Sequence, residues 1–107
     1  MYAGQSPTIA PLVIEGQVGE TVMFDCTAIS PLLGEDLAIE VFNDVANTFV
    51  GATIGGRLTR MNNGQFANFT YRNLEASDNN TMFRCATSRD TSASAVISVI
   101  CKYLKLL

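Results

Sequence analysis

Two cysteines that lie far apart in the sequence, Cys26 and Cys85, place the strongest constraint on the fold. Both belong to short runs in which apolar and polar residues alternate, as they do along a half-buried β-strand. The alternation puts Cys26 on the same face as Phe24, and Cys85 on the same face as Phe83. A buried bridge between the two strands would close a long loop and remove about 4 kcal/mol of unfolded-state freedom. An intersheet disulfide fits this placement and implies an oxidising compartment; the alternative is two buried free thiols in a cytosolic protein.

Further strand signals follow one another along the chain, whereas helix signals are poor. Short runs rich in Val, Ile, Phe and Thr are separated by clusters of Gly, Asn, Asp and Pro. Asn62-Asn63-Gly64 predicts a hairpin turn because Asn and Gly tolerate positive φ. The runs predict strands at 11–18, 22–26, 37–42, 48–52, 57–60, 65–71, 82–87 and 95–103. Strands of this number and spacing indicate an all-β sandwich or barrel.

The length and composition indicate one small globular domain. The chain has 107 residues, of which 48% are hydrophobic and 16% charged, enough apolar material for a single core. We expect that core to cover about 12–101, with 102–107 a linker or the start of a contact with a following domain. No apolar run approaches the length of a membrane span, about 18 residues. A leader or a membrane attachment is therefore expected to lie outside this sequence.

Histidine is absent from the sequence, which removes the usual general base and the commonest zinc ligand. Three cysteines without histidine do not make the usual mixed zinc set, so neither a metal nor another cofactor is expected. The net charge of −3 offers no basic footprint for nucleic acid. An enzyme would need a nucleophile with a base or a metal, and the carboxylates and Cys101 show no spacing motif. We expect neither catalysis nor a small-molecule substrate.

Several segments carry a family resemblance. The stretch 16–26 looks like the turn and strand B of an immunoglobulin domain. The residues similar to strand D, strand E and the E–F corner of variable-type domains are Arg57, Leu58, Phe69, Tyr71, Leu74 and Asp78, and Phe83-Arg84-Cys85 stands where that family has Tyr-x-Cys. Over about 12–99 the chain resembles the immunoglobulin superfamily. The resemblance implies a V-set-like immunoglobulin β-sandwich with Greek-key topology, in which Arg57 pairs with Asp78 to tie one end of the sandwich.

The chain departs from the usual pattern of that family in three ways. No Trp packs on the disulfide, and Ile39 or Val41 occupies its place. Phe83 replaces the corner Tyr and so lacks its hydroxyl. One residue is inserted between Asp78 and Phe83, and the Phe-Gly-x-Gly segment of antibody strand G is absent. The chain is therefore unlike antibody and T-cell-receptor domains and more similar to the membrane-distal domains of cnidarian allorecognition receptors, which also depart from the Trp pattern.

The resemblance also implies which residues face outward on the sheet of strands C, F and G. When their alternating neighbours point into the core, six residues remain outward as a candidate interface: Glu40, Phe42, Arg84, Val96, Ser98 and Ile100. Three of the six are apolar and are expected to be exposed, and an exposed apolar patch often marks a partner interface. The alternative is scattered surface apolarity, or a loop that lies over the strand.

Charge is divided unevenly between the two halves of the chain. Residues 1–56 carry seven acids and no base, whereas residues 57–107 carry seven bases and three acids. In immunoglobulin-like domains strands C and F pair, so Glu40 and Arg84 are expected to be neighbours. We expect acids of the first half and bases of the second to meet on one sheet, giving a face of both signs that a two-fold related copy can satisfy. The alternative is that the charges are solvated and cancel within one molecule.

Two N-x-Thr sequons begin at Asn68 and Asn79 and are consistent with secretion, although such motifs also arise by chance. Asn68 alternates with inward Phe69 and is expected to be accessible, whereas Asn79 lies at a tight corner. Cys101 is either a buried small hydrophobe or the partner of a cysteine in a following domain or in another molecule.

Taken with the resemblance, these features favour the extracellular part of a plasma-membrane receptor. We expect this domain to bind another copy of the same protein on an opposing cell, in self/non-self recognition. The alternatives are a heterophilic domain that binds another ligand or a pathogen, and a structural spacer domain. The fold alone does not decide between them.

Overall fold

Nine β-strands and one turn of 3-10 helix form in the part of the chain that the structure describes. A computed structural model of the chain describes residues 6–28, 37–61, 66–87 and 90–100. The strands are β1 (Thr8–Ala10), β2 (Val13–Gln17), β3 (Val22–Thr27), β4 (Ala38–Asn43), β5 (Thr48–Gly51), β6 (Leu58–Arg60), β7 (Phe66–Tyr71), β8 (Met82–Ala86) and β9 (Ala95–Ile100). The helical turn covers Ala76–Asp78, between β7 and β8.

The strands form two sheets that pack face to face. One sheet has four strands in the order β1-β3-β7-β6, and the other has five in the order β2-β9-β8-β4-β5. Neighbouring strands are antiparallel, except that β2 and β9 run parallel. Along the described strands the chain changes sheet after β1, β2, β3, β5 and β7, which gives a Greek-key arrangement with β5 added beside β4. The predicted fold class, an immunoglobulin-like β-sandwich of variable type, is thereby confirmed.

Aromatic rings and the disulfide fill the centre of the sandwich. The ring of Phe24 stacks on Phe69 at 5.3 Å and on Phe83 at 5.1 Å, measured between ring centroids. A disulfide joins Cys26 to Cys85, both fully buried, with their Cα atoms 5.9 Å apart. Because β3 belongs to the four-stranded sheet and β8 to the five-stranded sheet, the predicted intersheet disulfide is confirmed.

The position beside the disulfide, which the sequence leaves to Ile39 or Val41, belongs to Ile39. Ile39 lies opposite Cys85 in the register of β4 and β8 and is buried. Val41 lies opposite Phe83 and is half-buried at the border of the core. An aliphatic side chain therefore stands where variable-type domains place Trp.

The largest difference from the predicted strands is at the start of the domain. The sequence predicts one edge strand over 11–18, but the structure has two short strands, β1 and β2, in different sheets. Pro11 lies between them, and because proline has no backbone N–H it interrupts a ladder of hydrogen bonds. The predicted turn at 62–64, the segment 102–107 and Cys101 lie outside the described residues.

Candidate binding face

All six residues predicted for the interface lie on the outer face of the five-stranded sheet. Glu40 lies opposite Arg84 in the register of β4 and β8, and both alternate with buried residues of the core. Phe42 follows on the same face of β4. On β9, alternation with buried Ala95 and Ile97 places the remaining three outward: Val96, Ser98 and Ile100.

Four of the outward side chains form one connected group, which we call the ring-charge cluster: Glu40, Phe42, Phe49 and Arg84. The Nε of Arg84 donates a hydrogen bond to Oε1 of Glu40 at 2.7 Å. The guanidinium carbon of Arg84 lies 4.1 Å from the centroid of the Phe49 ring. Phe42 meets Phe49 edge to face at 5.4 Å. The predicted neighbours Glu40 and Arg84 are therefore paired, within a cluster that also holds two aromatic rings.

The charged side chains of the ring-charge cluster remain partly exposed. Arg84 and Glu40 retain 27% and 26% of their side-chain exposure. Only Nε of Arg84 donates to an acceptor among the described residues, which leaves the two terminal nitrogens without one. The contact of the guanidinium with the Phe49 ring restrains the Arg84 side chain, so binding a partner would cost less side-chain entropy than for a free surface Arg. Such a half-buried, rigid Arg beside aromatic rings is typical of residues that dominate binding energy.

An apolar strip crosses the other half of this face, along β2, β9 and β8. Val96 lies between Val13 of β2 and Met82 of β8. Val13 is 53% exposed and Ile100 is 37% exposed. The expectation that Phe42, Val96 and Ile100 are all exposed is wrong for two of them. Phe42 is half-buried by Phe49, and Val96 is half-buried between its cross-strand neighbours.

Sequence reasoning missed three residues of the outer face: Val13, Phe49 and Met82. A signal for Phe49 exists in the turn 44–47, because a four-residue turn between paired strands sets Phe42 opposite Phe49. No comparable signal exists for Val13, because its place depends on the parallel pairing of β2 with β9. The two missed apolar residues Val13 and Met82 complete the strip around Val96.

The acidic and basic halves meet on the five-stranded sheet at Glu40 and Arg84, but the expectation is wrong for the other described bases. Arg84 is the one base on the outer face of the five-stranded sheet in the described ranges. Arg57, Arg60 and Arg72 lie instead around β6 and β7, in the other sheet. There they donate to backbone carbonyls: Arg57 to Arg72 and Asn73, Arg60 to Leu37, and Arg72 to Gly56. These three bases close the end and edge of the sandwich.

Asp78 forms a second polar site, at the end of the sandwich that follows β7. Its buried carboxylate pairs with Arg57 and accepts hydrogen bonds from the Tyr71 hydroxyl at 3.1 Å and the Glu75 N–H at 2.7 Å. The guanidinium carbon of Arg57 lies 4.7 Å from the centre of the Tyr71 ring. The pair of Arg57 and Asp78 predicted from the resemblance is present. Tyr71, which the sequence does not single out for this role, supplies a hydroxyl bond at this corner.

The pKa values at this site follow from burial and from these hydrogen bonds. Burial raises the pKa of Asp78, but the hydrogen bonds from Glu75, Arg57 and Tyr71 outweigh it, and the pKa lies below its ordinary value. The hydrogen bond to Asp78 raises the pKa of Arg57. Burial, followed by the charge of Asp78, raises the pKa of Tyr71. The carboxylate is therefore held ionised and the phenol neutral, as a structural tie requires.

The two sequons differ in accessibility, and the expected order is reversed. Asn68 lies in the middle of β7, is half-buried and donates from Nδ2 to Oδ1 of Asp25 at 2.6 Å. Asn79 is exposed in the turn after the helical turn, and its Oδ1 accepts a hydrogen bond from the Val99 N–H at 2.8 Å. Alternation with Phe69 does place Asn68 outward, but its cross-strand neighbour Asp25 occupies its amide.

The fold and the intersheet disulfide define the class of this chain as an immunoglobulin-like β-sandwich domain. Comparison with protein-family models and comparison with curated proteins both find no match for the chain. Among the described residues, no helix is long and apolar enough to cross a membrane. The same residues contain no group of three or more His, Cys, Asp or Glu side chains placed to hold a metal ion.

Proposed function

We propose that this chain is an extracellular recognition domain of a cell-surface receptor, and that it binds a second copy of itself through the outer face of the five-stranded sheet. The copy would be presented by an opposing cell. The observation that carries the proposal is the ring-charge cluster, in which one acid, one base and two aromatic rings lie together on an open sheet face.

Self-binding is favoured because the cluster contains both halves of an ionic contact. In a two-fold symmetric interface, if one residue of the first copy contacts a second residue of its partner, the same contact occurs again with the copies exchanged. The surface must therefore be complementary to itself. Arg84 has two terminal nitrogens without a described acceptor, and Glu40 has a second carboxylate oxygen. Two copies facing each other can therefore form two equivalent ion pairs, each between Arg84 of one copy and Glu40 of the other. The rings of Phe42 and Phe49 would then be covered by the same apolar surface from the partner.

The opposite face of the sandwich is less suited to this role. Polar side chains of neighbouring strands already hydrogen-bond one another there. Asn68 donates to Asp25, and the hydroxyl of Thr59 bonds that of Thr70. The large apolar residues exposed at this sheet are Met23 on β3, Phe66 on β7 and Met61 directly after β6, and no two of them are opposite each other in the register. This face presents isolated apolar side chains, which are ordinary for a protein surface.

An extracellular location is supported by the buried disulfide, since such bonds persist in oxidising compartments. A role in self/non-self recognition rests on the resemblance to cnidarian allorecognition receptors. We propose neither catalysis nor binding of nucleic acid, a small-molecule substrate or a cofactor.

A charge exchange between two variants tests the proposed contact. Glu40→Arg gives a face with two bases, and Arg84→Glu gives a face with two acids, so neither variant should pair with itself. An equal mixture should pair, because each copy then offers the charge that the other lacks. Sedimentation velocity over a concentration series should show a reversible dimer for the wild type, association at least tenfold weaker for each variant alone, and recovery in the mixture.

Two further variants complete the experiment. Phe42→Ala should weaken association by removing apolar contact, whereas Met23→Ala, on the opposite face, should leave it unchanged. A wild type that stays monomeric at every concentration would favour the heterophilic or the spacer alternative. Association that persists in both charge variants would place the interface elsewhere on the molecule. Aggregation of cells that display matched or mismatched alleles of the full-length protein then tests the self-selective role.

A further inference from the structure

We infer that Asn79 is the N-glycan acceptor of this chain and that Asn68 is not. Both residues begin an N-x-Thr sequon, so the sequence alone offers two equivalent candidates. The structure separates them by the state of the two groups that the reaction needs, the side-chain amide of Asn and the hydroxyl of Thr.

The reaction defines what must be accessible. A bond forms between Nδ2 of the acceptor Asn and the anomeric carbon of an oligosaccharide carried on a lipid diphosphate. The bond between that carbon and the diphosphate oxygen breaks, and the lipid diphosphate leaves with its electron pair. Nδ2 loses one proton and keeps the other, and Oδ1 remains a hydrogen-bond acceptor.

At the second sequon neither group has a hydrogen-bond partner among the described residues, although Thr81 is half-buried. Asn79 is exposed, and its Nδ2 donates to no acceptor among the described residues. The hydrogen bond that holds this side chain uses Oδ1, which accepts from the Val99 N–H at 2.8 Å, and glycosylation retains that oxygen. The hydroxyl of Thr81 likewise has no partner in the described ranges. The segment lies in a turn, with Asn80 at a φ of 74°.

At the first sequon both groups are occupied within a sheet. Nδ2 of Asn68 donates to Asp25 at 2.6 Å, and the hydroxyl of Thr70 is bonded to the hydroxyl of Thr59. β7 is paired on both sides, with β3 and with β6, so its backbone is fixed in an extended form. A sugar on Asn68 would be held against Asp25 in the neighbouring strand. Folding of β7 therefore occupies both reacting groups at the Asn68 sequon, whereas the folded chain leaves Nδ2 of Asn79 exposed and without a described acceptor.

Expression of the whole chain in eukaryotic cells, behind an added signal sequence, tests the assignment without requiring any binding function. We expect one glycan, seen as a single mobility step that a peptide N-glycosidase removes. Thr81→Ala should abolish it while keeping Asn79, Thr81→Ser should retain it, and Asn68→Gln should leave it unchanged. Reading the mobility in cell lysate as well as in the medium keeps the result independent of whether a variant folds.

Three outcomes would overturn the inference. Two glycans on the wild type would show that Asn68 is also used. Loss of the glycan in Asn68→Gln, with retention in Thr81→Ala, would reverse the assignment. An unmodified wild type that reaches the medium would show that neither sequon is an acceptor. None of these outcomes bears on the charge-exchange experiment, which uses unglycosylated protein equally well.

Discussion

At the scale of single residues, the buried carboxylate of Asp78 accepts hydrogen bonds from three groups: Arg57, Tyr71 and the Glu75 N–H. Asp78→Asn keeps the shape of the side chain but removes its charge, so the Arg57, Tyr71 and Glu75 donors lose an ionised acceptor. Hydrogen bonds to charged groups contribute about 1.5–3 kcal/mol. Because Arg57 keeps 35% of its side-chain exposure, water partly replaces the lost partner. We expect the free energy of unfolding at neutral pH to fall by about 2 kcal/mol in urea denaturation.

The loss of stability at acidic pH provides a second test of the same prediction. The pKa of Asp78 is lower in the folded chain than in the unfolded chain, so the unfolded chain binds the proton more readily. Its contribution is complete above the ordinary Asp pKa of about 4 and is lost as the pH falls through the lower folded value. Stability of the wild type should therefore drop below about pH 4, and Asp78→Asn should drop less. Equal acid slopes for the two proteins would contradict the assignment, as would association lost in Asp78→Asn at unchanged stability.

At the scale of strands, the alternation of apolar and polar residues predicts well which side chains face outward when both strands of a pair lie inside the sheet. The outward set of β4 and β8 and the pair of Glu40 and Arg84 follow from the period of two once the strands are known to be neighbours. Edge strands are different, because their place depends on pairing with strands distant in sequence. The split of β1 and β2 around Pro11 and the exposure of Val13 depend on that pairing, and the sequence does not reveal it.

The parallel contact of β2 with β9 brings β2 close to the core, and Gly16 makes this approach possible. A Cβ at Gly16 would lie 2.6 Å from Cγ1 of Val22 and 2.8 Å from Cδ1 of Leu74, both buried residues. Gly16→Ala therefore has to displace packed side chains, and we expect it to lower the free energy of unfolding by about 1–3 kcal/mol. Urea denaturation measures this loss.

Gly51 provides the matched control in the same sheet. A Cβ at Gly51 meets nothing within 4 Å, so Gly51→Ala should stay within about 0.5 kcal/mol of the wild type. If Gly16→Ala were as stable as Gly51→Ala, β2 would not be packed against Val22 and Leu74 as the structure shows.

At the scale of the whole molecule, a division of charge along the chain does not predict a division in space. Because the chain passes repeatedly from one sheet to the other, acids and bases from the two halves are placed in both sheets. Glu40 and Arg84 do meet, but Arg57 and Arg72 are used to close one end of the sandwich. What the sequence predicts correctly is therefore the local pair, whereas the distribution of the other charges depends on topology.

The disulfide is the covalent link between the two sheets, and its effect belongs to the whole fold. Cys26 and Cys85 are 59 residues apart, and closing a loop of that length stabilises the folded state by about 4 kcal/mol through the entropy of the unfolded chain. A domain of this size has a total stability of about 5–15 kcal/mol. Replacing both residues by Ala should therefore leave a marginal fold, with a much lower urea midpoint. The dependence of the free energy on urea should steepen, because the unfolded chain without the bridge exposes more surface.

The third cysteine determines how this prediction is measured. All proteins should carry Cys101→Ala, so that no alternative bridge can form when one cysteine of the pair is changed. In that background we expect Cys26→Ala and Cys85→Ala to be as destabilised as the double variant, because either change removes the same bond and leaves one buried thiol. Additive losses, with the double variant about twice as destabilised as each single one, would show that packing of the two side chains, and not the bond between them, stabilises the sandwich.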